Sequence, residues 1–435
     1  MMPRVPRLTT AARATRALAM PTLALLVLAG CGSSSKPSGS AHASAQQGAG
    51  VPSECAATVM KTFGRIVEHV YHEGVKSERT GSAEYEVRSS VPLREAIEAG
   101  DRSAGNIAAE DIVHSGHLTN LLVLVHGRRF AEFGGAAVAP LHGTLLNAGK
   151  QPIATYVASV WSDEGFLAET GGVIGGHGAL RQGSRSLGDS FPLGSSSLSE
   201  QGTLTASGVT YRYTSFPAEA FPSGAIRVYL LRALSSTADF CHPTSEGTIL
   251  SVLHHVADLI YVAERGGAAL HQVARVEANG PLLQAVAQHD AGATETAIKA
   301  LLNQHVVRLR VFDSAGKLLS DVGGPYVLAP VHGTLRSQGH TIGTFVLSIQ
   351  DDEGYEKLAK RLEGLDVLVY YKGQIVKNSL GPVSWSEVPA HGSFSYHGRS
   401  FSVFTVRGTA FPSGPLAVRV LVPEPYLSQP VSYAP

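Results

Sequence analysis

The chain is poor in several residue types that mark particular classes of protein. Of its 435 residues only three are cysteine, two are tryptophan and four are methionine, and 16% are charged. After residue 30, no apolar run approaches the roughly twenty residues that a membrane-spanning helix needs. The sequence therefore predicts that everything after residue 30 lies outside the lipid bilayer.

The sequence motifs of common catalytic and nucleotide-binding sites are absent as well. There is no Gly-x-Ser-x-Gly, no His-Glu-x-x-His and no phosphate-binding Gly-x-x-x-x-Gly-Lys-Ser/Thr segment. Two close histidine pairs, His114 with His117 and His254 with His255, have no cysteine or carboxylate at a recognised ligand spacing. We interpret them as solvated or core side chains, and the sequence predicts neither an enzyme nor a metal or cofactor site.

Residues 1–30 have the pattern of a targeting signal. The segment begins with a basic head that contains Arg4, Arg7, Arg13 and Arg16. An apolar run from Ala17 to Leu28 follows and leads into Leu28-Ala29-Gly30-Cys31. The last four residues resemble a bacterial lipobox, in which the cysteine is acylated and becomes the new amino terminus. The resemblance implies a lipoprotein attached to the membrane through lipid, such as palmitate, on Cys31; the alternative is a plain signal peptide.

Residues 31–53 consist mainly of Gly, Ser, Ala, Pro and Gln, which cannot bury enough apolar surface to fold, and they predict a flexible tether. Removal of the four arginines of the signal leaves 31 basic and 35 acidic residues, a net charge of −4. A chain with this charge is not expected to bind nucleic acid. We expect a protein on the extracytoplasmic side of the cell membrane.

Three short blocks occur twice, at nearly the same spacing. Ala139–Leu145 returns as Ala329–Leu335, Ser162–Phe166 returns as Asp351–Tyr355, and Ala220–Gly224 returns as Ala410–Gly414, in each case 189 or 190 residues later. This period is far longer than that of a solenoid repeat. It predicts a duplicated domain, with unit one at residues 54–238, unit two at 239–425 and a C-terminal tail at 426–435.

Two cysteines remain after Cys31. Cys55 and Cys241 stand just ahead of the predicted first helix of each unit. An even pair in an oxidising compartment predicts a disulfide bond between the units. Two buried free thiols are the alternative.

Each unit begins with helical patterns and then changes to strands. In unit two, apolar residues from Ile249 to Ala263 recur at spacings of three and four, and shorter helical patterns follow. Alternating strand patterns then appear at 306–312, 341–350, 366–371, 398–407 and 416–422, with a short helix at 354–362. This order predicts an α+β fold of two tandem units, in which a long N-terminal helix and short helices pack on an antiparallel sheet.

Three segments of unit two resemble the extracytoplasmic Cache sensor domains, which are PAS-like modules of bacterial receptors. These segments are Val311–Gly316, Pro330–Leu335 and Ser348–Tyr355. The resemblance extends over residues 54–425 and favours two single Cache-like units over one double unit. Such domains normally lie between two membrane helices, which this chain lacks, so the resemblance implies a sensor that acts through a separate membrane receptor or kinase.

The resemblance places a small-molecule pocket on the central strands of unit two. Polar and aromatic side chains there are the candidate ligand-binding residues, namely Tyr326, His332, Ser348, Gln350, Asp352, Tyr355 and Tyr370. The alternative is a solvated sheet face followed by an Asp that caps a helix. His142 and His332, in the repeated block, are expected to serve a turn that both units share.

Unit one differs in the segment Gly165–Gly178. It is interrupted by glycines and poor in helix and strand formers, which predicts a degraded pocket. We therefore expect unit two to bind a small metabolite, such as a carboxylate. The alternative is a structural or protein-interaction lipoprotein of the cell envelope that binds no ligand.

Overall fold

The computed structural model describes residues 53–191, 193, 198–302, 305–384 and 386–428. The predicted signal, Cys31 and nearly all of the predicted tether lie outside these residues. Within them, no helix is long and apolar enough to cross a membrane.

The duplication predicted from the sequence is visible in the order of the elements. Unit one contains helices α1–α6 and strands β1–β11, and unit two repeats this order with α7–α12 and β12–β22. The helices of unit one are α1 (Ser53–Val75), α2 (Glu78–Ser89), α3 (Val91–Ala99), α4 (Arg102–His114), α5 (Asp163–Ile174) and α6 (Leu234–Thr237). Those of unit two are α7 (Ser245–Ala263), α8 (Gly267–Glu277), α9 (Gly280–Ala287), α10 (Ala291–Leu302), α11 (Asp352–Glu363) and α12 (Glu424–Ser428).

The strands correspond in the same way. Those of unit one are β1 (Asn120–Val125), β2 (Arg128–Phe133), β3 (Ala137–Val138), β4 (Leu141–Leu146), β5 (Pro152–Ser159), β6 (Trp161–Ser162), β7 (His177–Gln182), β8 (Arg185–Asp189), β9 (Gln201–Ala206), β10 (Val209–Glu219) and β11 (Ala225–Ala233). Those of unit two are β12 (Arg308–Asp313), β13 (Leu318–Gly323), β14 (Val327–Leu328), β15 (Val331–Ser337), β16 (His340–Ser348), β17 (Gln350–Asp351), β18 (Asp366–Tyr371), β19 (Gln374–Asn378), β20 (Gly392–Tyr396), β21 (Arg399–Thr409) and β22 (Pro415–Pro423). The predicted α+β class is confirmed.

Each unit has two larger antiparallel sheets and a two-stranded ribbon, where the strand pattern had predicted one sheet. In unit two the first sheet has the order β13-β12-β16-β15, and the second has the order β19-β18-β22-β21-β20. Unit one has the same two sheets, in the orders β2-β1-β5-β4 and β8-β7-β11-β10-β9. The helix after the first sheet, α5 or α11, marks the division. The prediction that each unit is built on a single sheet is therefore wrong.

The short helices of each unit cover one face of its first sheet. In unit two this face is filled by apolar side chains, among them Leu309, Phe345 and Leu347, which are at most 1% exposed. In unit one, Tyr156 takes the place of Phe345. We call the opposite face of each first sheet its outer face.

The long helices of the two units share one hydrophobic core. Phe63 on α1, Leu253 on α7 and Tyr355 on α11 belong to the same cluster, in which each is at most 1% exposed. The structure contains the predicted disulfide bond between Cys55 and Cys241, with 5.8 Å between the two Cα atoms. Cys55 lies within the first turn of α1, and Cys241 precedes α7.

The repeated sequence blocks meet where the two sheets of each unit join. In unit one the amide of Ala139 donates to the carbonyl of Glu219 over 3.1 Å, and the Glu219 amide donates to the hydroxyl of Tyr71 over 2.8 Å. In unit two Ala329, Thr409 and Tyr261 make the equivalent bonds, at 3.0 and 2.6 Å. The repeated blocks therefore serve the joint between the sheets and its attachment to the long helix.

The glycine-rich segment of unit one is regular, contrary to the prediction from its composition. Helix α5 has 12 residues, as α11 does, and ends at Gly175 in the left-handed conformation. Strand β7 follows and pairs with β11. A Cβ on Gly176 would lie 2.2 Å from the carbonyl oxygen of Leu231, so close packing excludes larger side chains there.

Candidate functional site

The seven candidate ligand residues of unit two do not line one cavity. Ser348 ends a strand of the first sheet, whereas Tyr370 lies on a strand of the second. Tyr370 is 4% exposed in a cluster on the side of that sheet that faces away from α11, and its hydroxyl accepts a 2.9 Å hydrogen bond from Arg419. Its neighbour Tyr371 lies on the opposite face of the strand, towards the joint between the sheets. The expected position of Tyr370 in a pocket with Ser348 is wrong.

Ser348 is a buried structural residue. It is 1% exposed, its hydroxyl lies within hydrogen-bond distance of the Leu328 carbonyl, and it accepts the amide of Gln350 over 3.1 Å. Ser159 makes the same contacts in unit one, with the Val138 carbonyl and the Trp161 amide. Both hydroxyls hold the two-stranded ribbon at the joint, β14 with β17 or β3 with β6.

We expect Ser348→Ala and Ser159→Ala to lower the free energy of unfolding by similar amounts, about 1–3 kcal/mol each, because each leaves buried backbone groups unpaired. Chemical denaturation of both variants measures this. A loss confined to Ser348→Ala, or a loss of ligand binding without a loss of stability, would contradict the structural role.

Two of the other candidates serve the fold around α11. Asp352 is the first residue of this helix, and its amide donates to the Tyr326 carbonyl over 3.0 Å; the capping side chain is that of Asp351, which accepts the amide of Gly354 over 2.7 Å. Burial raises the pKa of Asp352 above its usual value. Tyr355 is 1% exposed in the shared core.

The Gln350 side chain faces the end of α7. It hydrogen-bonds the carboxyl group of Glu264, whose pKa burial raises despite this bond. In unit one the equivalent positions are Trp161 and Gly74, and a Cβ on Gly74 would lie 2.3 Å from the indole ring. Gln350 and Glu264 thus pack against each other in unit two, and Trp161 and Gly74 pack against each other at the same two positions of unit one.

A charged cluster lies on the outer face of the first sheet of unit two. Arg308 donates through Nε and Nη2 to the two carboxylate oxygens of Asp321, over 2.8 Å in each case. Arg310 donates through Nε and Nη2 to Oδ2 of the same residue, over 2.9 and 2.5 Å. Strand alternation places Arg308 and Arg310 on one face, and Arg310 lies between Asp321 on β13 and Val346 on β16. We call these three charged residues the arginine cluster.

Aromatic side chains border this cluster. The ring of Phe411, in the repeated block that follows β21, lies 5.0 Å from the guanidinium carbon of Arg308 and 5.9 Å from that of Arg310. Phe411 and the half-exposed Tyr326 also line a small cleft together with Tyr371. The cleft has a volume of about 10 Å³, roughly the space that one water molecule needs.

His332 is exposed on the same outer face. It pairs across β15 and β16 with Val346, which in turn pairs with Arg310. Among the candidates predicted from the sequence, His332 and Tyr326 are therefore the two that lie beside the arginine cluster or its cleft with accessible side chains.

The electrostatics of the cluster favour its ionised form. Burial alone would raise the pKa of Asp321, but hydrogen bonds from Arg308 and Arg310 hold it below the usual value. The hydrogen bond to Asp321 likewise raises the pKa of Arg308. Two cations share one carboxylate, so the three side chains together carry an excess positive charge.

Unit one lacks this cluster. Strand register places Asn120 and Leu122 where unit two has Arg308 and Arg310, and Glu132 where it has Asp321. Asn120 is 1% exposed and its side-chain amide donates to the carbonyl of Gly135. The alternation of arginines in Arg308-Leu309-Arg310-Val311 is the sequence signal that could have identified this face.

The histidine pairs do not form a ligand set. His114 lies 4.0 Å from Glu110, His117 lies 3.0 Å from Glu86, and His254 lies 3.7 Å from Asp258. In the part of the chain that the structure describes, no group of three or more His, Cys, Asp or Glu side chains is placed to hold a metal ion.

Comparison with known proteins gives structural neighbours only. No family model and no curated protein matches the sequence. The LuxQ periplasmic domain of Vibrio cholerae is 12% identical, with a TM-score of 0.28, and the match covers 39% of this chain and 95% of that domain. The ligand-binding domain of the Pseudomonas fluorescens chemoreceptor CtaA, in complex with L-isoleucine, is 11% identical with a TM-score of 0.28, covering 42% and 98%.

A third neighbour is the ligand-binding domain of the amino acid chemoreceptor PctB of Pseudomonas aeruginosa PAO1, in complex with L-Arg. It is 13% identical with a TM-score of 0.22, and the match covers 40% of this chain and 97% of that domain. One of these neighbours is thus a periplasmic domain, and two are ligand-binding domains of chemoreceptors. At such TM-scores and identities, no residue role or ligand is transferred from them.

Proposed function

We propose that this chain is a sensory binding protein, held by lipid on Cys31 at the extracytoplasmic face of the cell membrane. Unit two binds a small molecule at the arginine cluster and its aromatic border, and a separate membrane protein, a receptor or kinase, receives the signal. The observation that supports this most is the difference between the units. Unit two has the partly exposed charged side chains of Arg308 and Arg310 at the positions where unit one has the buried Asn120 and Leu122.

The second candidate is a structural or protein-interaction lipoprotein without a ligand. It is favoured by the packing, because the helix-covered face of each first sheet is filled by the protein's own side chains. The cleft at Phe411 is also far below the roughly 300 Å³ typical of ligand pockets. Binding at unit two would therefore use the open outer face or require the cleft to widen.

The test uses the whole mature chain, because α1 and α7 share one core and the units are joined by a disulfide bond. We expect a thermal-shift screen against small carboxylates and amino acids to yield a ligand. At 100 times its dissociation constant, such a ligand should add about 2.7 kcal/mol of stability. Calorimetry then measures its affinity.

Two variants identify the unit. Arg310→Leu installs the residue of unit one and should abolish the shift. Arg129→Leu removes an exposed arginine paired with Glu132 in unit one and should leave it unchanged. No ligand in the screen would favour the interaction lipoprotein, and loss of binding only in Arg129→Leu would transfer the site to unit one.

A further inference from the structure

The two arginines of the cluster differ in how well their hydrogen-bond donors are paired. Arg308 matches Asp321 with two parallel bonds, one to each carboxylate oxygen, and its Nη1 donates to the Gly324 carbonyl over 3.0 Å. This is the geometry in which a guanidinium binds a carboxylate most specifically. Arg308 and Asp321 thus form a complete pair.

Arg310 lacks such a partner. Both of its bonds to Asp321 go to Oδ2, which already accepts Nη2 of Arg308, so that this one oxygen receives three donors. A carboxylate oxygen has about two lone-pair sites, and the third donor is therefore poorly accommodated. Within the described part of the chain, Nη1 of Arg310 makes no hydrogen bond, and its side chain is 24% exposed.

The surroundings of Arg310 fit an anion with a small apolar part. The ring of Phe411 packs with Val346 in one apolar cluster beside the guanidinium group. His332, on β15 beyond Val346, adds an exposed imidazole two strands away. Arg310 therefore offers its unused guanidinium edge at the border of an apolar floor.

We propose that Arg310 binds the carboxylate of a small organic acid, and that Asp321 competes with the ligand for this arginine. This inference rests on the proposed function and specifies its ligand class. The ligand carboxylate accepts the hydrogen bonds that Arg310 otherwise donates to Oδ2 of Asp321, while Arg308 keeps Asp321 in place. Asp321 thereby sets the affinity, since every bound carboxylate displaces part of its contact with Arg310.

The test titrates propionate into the whole chain with ¹⁵N-labelled arginine, at constant ionic strength, and follows the side-chain Nε–H resonances. In the wild-type protein, the resonance that Arg310→Gln removes should shift with propionate, and methylammonium chloride should not shift it. Asp321→Asn should bind propionate at least tenfold more tightly, because the internal competitor loses its charge.

Arg310→Gln is the variant that keeps the inference testable if Asp321→Asn does not fold, since it preserves the complete Arg308–Asp321 pair. No propionate-dependent shift of the Arg310 resonance in the wild-type protein would overturn the inference. A ligand from the screen that stabilises Arg310→Gln as much as the wild-type protein would also overturn it and would move the binding site away from the arginine cluster, while the sensory binding role itself would stand. Unchanged propionate affinity in folded Asp321→Asn would contradict the competition.

Discussion

Removing the disulfide bond should lower the free energy of unfolding by about 2–5 kcal/mol. The bond joins cysteines 186 residues apart and so restricts the unfolded chain over nearly the whole of unit one. It also connects the starts of α1 and α7, whose apolar faces form the core between the units. Chemical denaturation of the double variant Cys55→Ser/Cys241→Ser, compared with the wild-type protein, measures the loss.

The reduced wild-type protein is the matched control. It should unfold at the same denaturant concentration as the double serine variant, because both lack the crosslink and differ by two small, partly buried substitutions. If the oxidised protein and the double variant unfold together, the bond does not stabilise the chain. Peptide mapping without reductant shows independently whether Cys55 and Cys241 are joined.

The duplication was predictable because its marks lie in short, sterically restricted segments. Ala139 and Ala329 both have positive φ angles, and the aromatic rings of Tyr156 and Phe345 lie directly over Gly143 and Gly333 of the neighbouring strand. Such positions tolerate few residue types, so the two copies stay alike and can be recognised. The surfaces that distinguish the units carry no such restriction.

The division into two sheets was not predictable from strand patterns. Strands β16 and β18 each contain four consecutive buried residues, 345–348 and 367–370, and nothing in either sequence states which strand is its neighbour. Pairing is decided in three dimensions, where β16 lies between β12 and β15 and β18 lies between β19 and β22. A prediction that treated them as one surface therefore combined Ser348 and Tyr370, which face different parts of the protein.

The candidate site was only partly predictable, for two physical reasons. Tyr370 and Tyr371 are adjacent on one strand and therefore face opposite sides of the sheet. Because the two residues are identical, the sequence alone does not show which of them faces the joint. Ser348 looks like a polar residue on an exposed strand face, but the ribbon of β14 and β17 covers it. Arginines in a strand, in turn, are most easily read as a solvated face, which is why Arg308 and Arg310 were missed.

The glycine content of unit one was a misleading sign of irregular structure, because glycine occurs in proteins for two different reasons. In a helix exposed to solvent, glycine costs backbone entropy, as at Gly81 of α2, where a Cβ would meet no atom within 4 Å. In the segment after α5, glycine allows the backbone to approach β11 closely, as at Gly176. At the equivalent turn of unit two the chain has Leu365, which is 2% exposed in the shared core.

Gly176→Ala should therefore lower the free energy of unfolding by about 3 kcal/mol, because the new methyl group would overlap a backbone carbonyl that cannot rotate away. Gly81→Ala, the same substitution in α2, should raise it by up to about 1 kcal/mol through helix propensity. Chemical denaturation of both variants compares one added methyl group in two surroundings. Equal effects, or a stable Gly176→Ala, would mean that α5 and β11 are not packed as closely as the fold requires, and the glycines of unit one would then again indicate loose structure.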